Sequence, residues 1–272
     1  MARLTPAQIR RFERDGVVFP IRAFEPSEMA ECMRRLEAAE SDRAGRLPPL
    51  LNLKPHLLLP WLWDVVHDPR VVGPVRDLLG PDVLCWASSF FSKGPGEPGH
   101  VPWHQDATYW GLSEPRALTA WIAFTDSTRE NGCLRVAAGS HHAPLQHHDT
   151  FDPANMLAGR ERIEGEVDQT RAVDVVLGPG DMSLHHVLVV HGSEPNLGGR
   201  RRVGFAVRYI DGRLRQGGDV RGSATLVSGE DHGGFDLEPR PERDFAADAV
   251  ARHPDVLRRF AAVVRPGPKG SS

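Results

Sequence analysis

The sequence predicts an all-β core with flanking helices, a double-stranded β-helix in which two antiparallel sheets face each other as a jelly roll. Two observations predict it. Helical periodicity occupies the first 80 residues and then gives way to short apolar runs broken by Gly, Pro and Asn. Helices followed by many turn-separated strands suit a barrel with the helices packed outside it, and a length of 272 residues suits one large domain. The expected organisation is a single domain over residues 1–272, with a mainly helical flank (1–80), a jelly-roll core (81–211), and a loop with a C-terminal helix (212–272).

Each element has its local reason. Thr5-Pro6-Ala7-Gln8 reads as a capping box with proline in the first turn, and Ile9 and Phe12 follow at helical spacing. A second helix starts near Pro26, where Met29, Met33 and Leu36 recur on one face, and a third runs from about Pro69 to Leu79 before Gly80. Strands are expected at Val83 to Phe91, Ala117 to Phe124, Cys133 to Val136, Ala172 to Leu177, Met182 to His191 and Arg202 to Ile210. Two stretches, His141 to Thr170 and Gly212 to Glu238, show neither period and are expected to be long loops. Loops beyond about 12 to 15 residues in a compact domain usually act as lids or are disordered. A last helix is expected over Asp255 to Val264, with a frayed tail from Pro266 to Ser272.

Composition removes several classes of function. Apolar residues make up 40% and charged residues 25%, as in a soluble globular protein. The formal charge of −3, with arginines scattered along the chain, offers no field for a phosphate backbone, so nucleic acid is not an expected partner. No run approaches the roughly 18 apolar residues of a membrane span, and no apolar leader follows the start; a cytoplasmic location is expected. Cys32, Cys85 and Cys133 are odd in number and widely spaced, which fits reduced, buried thiols rather than disulfides or a zinc ribbon.

Trp103-His104-Gln105-Asp106 sets an imidazole and a carboxylate two apart, which in a strand sends both to one face. By itself this is a weak signal, since polar residues on a solvated strand look the same. His191 closes an apolar run 85 positions after Asp106 and supplies a third ligand. Two histidines and one carboxylate form the facial triad of non-haem iron(II) oxygenases, although zinc tolerates the same donors.

Arg202, eleven residues beyond His191, favours iron. In Arg202–Tyr209, alternation puts Arg202, Gly204, Ala206 and Arg208 on one face and Val203, Phe205 and Val207 on the other. The apolar set is expected in the core between the sheets. Two arginines flanking two small residues describe a cavity with cationic walls, suited to 2-oxoglutarate chelating the metal while Arg202 holds its distal carboxylate.

These residues match a known pattern. Trp103-His104-Gln105-Asp106, Glu130-Asn131-Gly132-Cys133-Leu134, Gly139-Ser140-His141 and His191-Gly192-Ser193-Glu194-Pro195-Asn196, followed by Arg202, resemble the phytanoyl-CoA dioxygenase family of iron(II)- and 2-oxoglutarate-dependent oxygenases, whose fold is a cupin-like jelly roll. Ala138 departs from the proline that usually precedes Gly-Ser-His, which touches a turn and not the chemistry. The resemblance implies His104, Asp106 and His191 as iron ligands and Arg202 as the anchor of 2-oxoglutarate, with Ser193, Trp121, Thr119 and Lys93 beside it and O2 as second cosubstrate. It implies hydroxylation of a small molecule, with desaturation, cyclisation and epimerisation open to the same chemistry.

Leu84-Cys85-Trp86, Phe90-Phe91-x-Lys93 and Gly204-Phe205-Ala206-x-Arg208-Tyr209 also resemble halogenases that act on carrier-protein-bound amino acids. Those enzymes have alanine where Asp106 stands, so hydroxylation is the expected outcome here. Arg208, Tyr109 and Phe90 are candidate substrate contacts, and the substrate is expected to be an amino acid, another acid or a natural-product intermediate, free or carrier-tethered. The adjacent pairs His141-His142 and His185-His186 are expected in turns or core. Ser88, Ser89 and Ser193 sit in no nucleophile elbow, so a serine hydrolase has no support. A jelly-roll protein that binds a metal or sugar without turnover, and a zinc hydrolase, are the competing classes.

Overall fold

The computed structural model describes residues 3–40, 51–149, 152–157, 161–164, 167–217 and 220–264. Helix α1 (Pro6–Asp15) starts as its sequence dictates: the Thr5 hydroxyl accepts from the Gln8 backbone, the Gln8 side chain accepts from the Thr5 backbone, and Pro6 fills a position that needs no N–H. Strand β1 (Val17–Arg22) follows, then α2 (Pro26–Glu40), which buries Met29 and Leu36, and then α3 (Pro60–His67) and α4 (Pro69–Leu79). Neither β1 nor α3 has a clear period in the sequence. Pro20 interrupts the first, and the second is too short and too uniformly apolar to show a face.

The β region runs through β2 (Val83–Lys93), β3 (Val101–His104), the one-turn helix α5 (Ala107–Trp110), β4 (Ala117–Ala123), β5 (Leu134–Ala137), β6 (His147–Asp149) and β7 (Glu161–Ile163). It continues with β8 (Ala172–Val175), β9 (Asp181–His186), β10 (His191–Ser193), β11 (Arg202–Asp211), β12 (Ser223–Ser228) and β13 (Asp236–Leu237), and α6 (Ala247–Val263) follows. A seven-stranded sheet in the order β1-β9-β4-β11-β2-β12-β13 faces a four-stranded sheet, β3-β10-β5-β8, and β6 pairs with β7 apart from both. Pairing is antiparallel except between β12 and β13. The jelly-roll expectation is met.

Four local expectations are corrected. Met182 to His191 is not one strand: a turn at 187–190 carries the chain from β9 in the large sheet to β10 in the small one. The two expected loops contain the β6–β7 hairpin and β12 with β13, and β6, β7 and β13 are too short to announce themselves by alternation. Helix α6 begins at Ala247, well before Asp255, and runs through Pro254. The tail from Pro266 lies outside the described residues.

The fourth correction concerns the core. Val203, Phe205 and Val207 pack with Phe90, Phe124, Leu118 and Ile122 under the helices, against Leu36, Leu62, Val66, Val71 and Val75, rather than between the sheets. Alternation assigns residues to faces but does not say what covers each face. At roughly 1.5–3 kcal/mol per fully buried large apolar side chain, this helix-facing layer is the main anchor of the large sheet. Arg201 fastens the same layer at its edge by donating to both carboxylate oxygens of the buried Glu40 on α2, each at 2.7 Å. The opposite face of the sheet, with Trp121 and Ala206, meets Leu134, Val136 and Val175 of the small sheet, and a pocket opens there.

Candidate active site

The pocket lies between the two sheets, and its free cavity volume is small, about 50 Å³. His104 ends β3, and His191 opens β10 directly opposite, as register partners in the small sheet. Their ring centroids are 4.1 Å apart, and His104 Nε2 lies 3.5 Å from an Asp106 carboxylate oxygen. One donor atom from each of the three side chains falls within 4.8 Å of the others. Asp106 is not in a strand: it has helical backbone angles at the start of α5, so the turn, and not period-two alternation, brings it beside His104.

Hydrogen bonds orient all three donors. His104 Nδ1 lies 3.0 Å from the Pro102 carbonyl and His191 Nδ1 lies 2.9 Å from the Val189 carbonyl. Each Nδ1–H therefore donates to backbone and leaves Nε2 as a lone-pair donor, the usual arrangement of metal-ligating imidazoles. The Thr119 hydroxyl donates to Asp106 Oδ2 at 3.2 Å. Burial pushes the Asp106 carboxyl up, but the hydrogen bond with His104 and the neighbouring His191, His104 and Arg208 side chains more than offset it and hold the group well below the usual carboxylate range. Burial, followed by the charge of His104, holds His191 neutral far below its ordinary range. An ionised carboxylate and a neutral imidazole are the states a divalent ion needs.

At the other end of the pocket stands Arg202, 2% exposed. One of its nitrogens donates to the Gly132 carbonyl, its guanidinium lies over the Trp121 ring at 4.9 Å, and its Nε has no hydrogen-bond partner among the described residues. Burial lowers it to about 10. Lys93, opposite Arg202 in the β2–β11 ladder, donates to the Ser193 hydroxyl at 2.7 Å and to the Ser193 and Glu194 carbonyls. Burial, then the charge of Arg202, brings Lys93 down to about 7. A buried guanidinium with an orphaned N–H and no carboxylate partner among the described residues is a cradle for an anion.

The motifs around the pocket hold this geometry. A Cβ on Gly132, whose φ is 74°, would collide with the Glu194 carbonyl, so glycine lets the Arg202-binding turn close. Asn196 ties the turn after β10 by donating to the Lys93 and Arg200 carbonyls at 3.0 and 2.8 Å. Gln105, between His104 and Asp106 in the chain, is fully buried and donates to the Leu188 and Ala143 carbonyls.

Thr119, Trp121, Ser193, Arg202 and Arg208 all line the pocket, and Lys93 stands behind Ser193. Phe90 does not: it packs in the helix-facing core against Phe124 and Phe205, and its neighbour Phe91 faces the pocket instead. The physical reason is parity, since Phe90 pairs with core-facing Phe205 and Phe91 with pocket-facing Gly204. The side chain of Tyr109 lies outside the described residues. Trp86 and Trp110 stack on each other at 4.7 Å in a separate apolar cluster. His185, expected in turn or core, lines the pocket beside His191 at 4.8 Å. Its position on β9 opposite Thr119 is the signal that places it, and that pairing is not readable locally.

Among solved structures, the non-heme monooxygenase ThoJ in its apo form is 35% identical, covering 94% of this chain and 97% of that one with a TM-score of 0.82. CytC3 with Fe(II) and alpha-ketoglutarate is 27% identical, covering 89% and 96% with a TM-score of 0.64. An L-proline trans-4-hydroxylase from Streptomyces griseoviridis is 31% identical over 169 residues, 53% of this chain and 61% of the relative. The chain spans about half the length of the curated relatives it matches. No helix among the described residues is long and apolar enough to cross a membrane. The family model for phytanoyl-CoA dioxygenase matches residues 12–204, which contain His104, Asp106, His191 and Arg202, and the chain belongs to that family.

Proposed function

We propose that the protein is an iron(II)- and 2-oxoglutarate-dependent oxygenase that hydroxylates an unactivated carbon of a small molecule, an amino acid or a natural-product intermediate. The observation that carries this reading is the presence, in one pocket, of a two-histidine, one-carboxylate cluster and a buried arginine without a counter-ion among the described residues. Zinc hydrolysis accounts for the first feature and not for the second. The likeness to an L-proline trans-4-hydroxylase supports a small-molecule substrate.

When bound, iron(II) supplies O2 activation coupled to the decarboxylation of 2-oxoglutarate to succinate and CO2, ending in oxygen insertion at a C–H bond. The chain contributes placement and exclusion of water. His104 and His191 would hold the ion through Nε2, and Asp106 through the carboxylate oxygen that Thr119 leaves free. Arg202 would take the distal carboxylate of the cosubstrate, with Ser193 oriented for the same task by Lys93. The Trp121 indole covers the guanidinium and keeps that pair dry, which strengthens it.

Anaerobic addition of iron(II) and 2-oxoglutarate is expected to give a weak visible charge-transfer band, and admission of O2 to yield succinate. No band refutes the proposal. A band without succinate indicates a binding protein, and turnover that survives without O2 indicates a hydrolase.

A further inference from the structure

Arg208 stands on the same face of β11 as Arg202, six residues on, which at about 3.3 Å per residue puts the two near opposite ends of the pocket. Arg208 pairs across the ladder with Thr119, and Thr119 pairs with His185, so three adjacent strands present a guanidinium, a hydroxyl and an imidazole in one row. All three line the pocket.

The row has unused bonding capacity. Arg208 donates to the Ser89 hydroxyl at 2.7 Å and makes no ion pair among the described residues. His185 is 2% exposed, and its Nδ1 has no hydrogen-bond partner among the described residues. A buried polar atom left bare is costly, and the cost vanishes when a ligand fills the place. Thr119 is committed to Asp106 and serves as the divider between the ion site and the row.

Charge points the same way. The only acidic side chain lining the described pocket is Asp106, against two guanidiniums. A divalent ion and a dicarboxylate cosubstrate cancel each other, and Asp106 cancels one arginine. One positive charge is left over in the filled pocket.

We infer that Arg208 and His185 form a second anion site, which holds a carboxylate of the substrate on the far side of the ion site from the 2-oxoglutarate anchor. The inference rests on the oxygenase reading for what fills the rest of the pocket. It selects a free acid over a carrier thioester of the same acid, because the thioester carbonyl carries no charge for Arg208 to pair with. His185 then accepts or donates one hydrogen bond to the same substrate and fixes which face of it meets the ion.

Acetate is the minimal probe. It is titrated into the full chain loaded with zinc in place of iron and with 2-oxoglutarate, and followed by NMR of the labelled carboxyl carbon. The expected result is saturable acetate binding that acetamide does not displace. Arg208→Gln should weaken it roughly 10-fold or more, as for the loss of charge-assisted hydrogen bonds, and Arg208→Lys should restore part of the loss. His185→Phe should weaken it about 2- to 10-fold. Arg202→Gln should reverse the order and weaken 2-oxoglutarate more than acetate. Cooperative thermal unfolding of each variant separates lost binding from lost folding, and the lysine variant stands in if the glutamine variant fails it.

Acetate that does not bind, that acetamide displaces, or that binds Arg208→Gln as tightly as the parent protein overturns the inference. So does a complex in which Arg208 pairs with the cosubstrate's own carboxylate. If 2-oxoglutarate itself fails to bind, the oxygenase reading falls instead, and the Arg208 site is judged by the same acetate titration on the protein with zinc alone.

Discussion

Gly204→Ala tests how Arg202, the proposed cosubstrate anchor, is held. A Cβ at this position would lie within 3.0 Å of three atoms of the Trp121 ring, whereas carbon atoms in contact prefer roughly 3.5–4.0 Å. The backbone cannot yield, because Gly204 is locked between Phe91 of β2 and Ala123 of β4. The indole must therefore retreat by something on the order of 1 Å or more, and it carries the Arg202 guanidinium 4.9 Å from its centre. Overpacking of this kind costs about 1–3 kcal/mol, which for a chain of this size lowers the melting temperature by roughly 2–4 °C per kcal/mol. Loss of the cation–π contact, worth about 0.5–2 kcal/mol, weakens 2-oxoglutarate by roughly 2- to 30-fold. Denaturant unfolding and calorimetric titration of 2-oxoglutarate into the anaerobic, metal-loaded protein measure the two effects. Adding Trp121→Phe to Gly204→Ala relieves the collision, so the double variant should be more stable than additivity of the two single changes allows. If Gly204→Ala keeps stability and affinity within about 0.5 kcal/mol of the parent, or if the two substitutions simply add, the packing argument is wrong.

Three further outcomes follow from the same geometry. Thr119→Val removes the donor to Asp106 Oδ2 and should lower iron affinity about 10- to 100-fold, read as metal content after competition with a chelator; undiminished affinity would show that Asp106 needs no second support. Lys93 is lowered to about 7, so it loses its proton as pH rises from 6 to 9, and a bound dianion favours the protonated form. Affinity for 2-oxoglutarate should therefore fall as pH rises above about 7, by at most tenfold per pH unit, and Lys93→Met should flatten that profile; an identical slope in both proteins would remove Lys93 from the site. Glu40→Ala strands Arg201 at the junction of α2 and the start of β11 and should cost about 3 kcal/mol in denaturant unfolding, whereas a loss under about 1 kcal/mol would make the pair ornamental.

The parts of the fold that are legible in the sequence are those whose information is local. The capping box of α1, the amphipathic faces of α2 and the alternation of Arg202–Tyr209 each lie within a few residues, and each appears in the structure where the pattern puts it. What escapes is what depends on pairing at long range. The turn at 187–190 is as apolar as the strands beside it, because it is buried where the chain passes between sheets. His185 looks like any core histidine until β9 is laid beside β4 and its register partner proves to be Thr119.

The pair Phe90 and Phe91 shows where the limit lies. Period two says that they face opposite ways, but it does not say which of them faces the cavity. One pairing settles it: Lys93 opposite Arg202 fixes the parity of β2 from Ala87 to Lys93, up to the bulge at Trp86, turning Phe91 and Ser89 toward the pocket and Phe90 toward the helices. Lys93 and Phe90 therefore cannot both belong to the site, and that exclusion follows from the strand pattern alone once either is accepted. The same parity seats Ser89 where it takes the Arg208 guanidinium, so the register that places Arg202 opposite Lys93 at one end of β11 also positions Arg208 toward the other. A shift of β2 by one residue would turn Lys93 and Ser89 away together, which couples the two ends of the pocket through a single strand pairing.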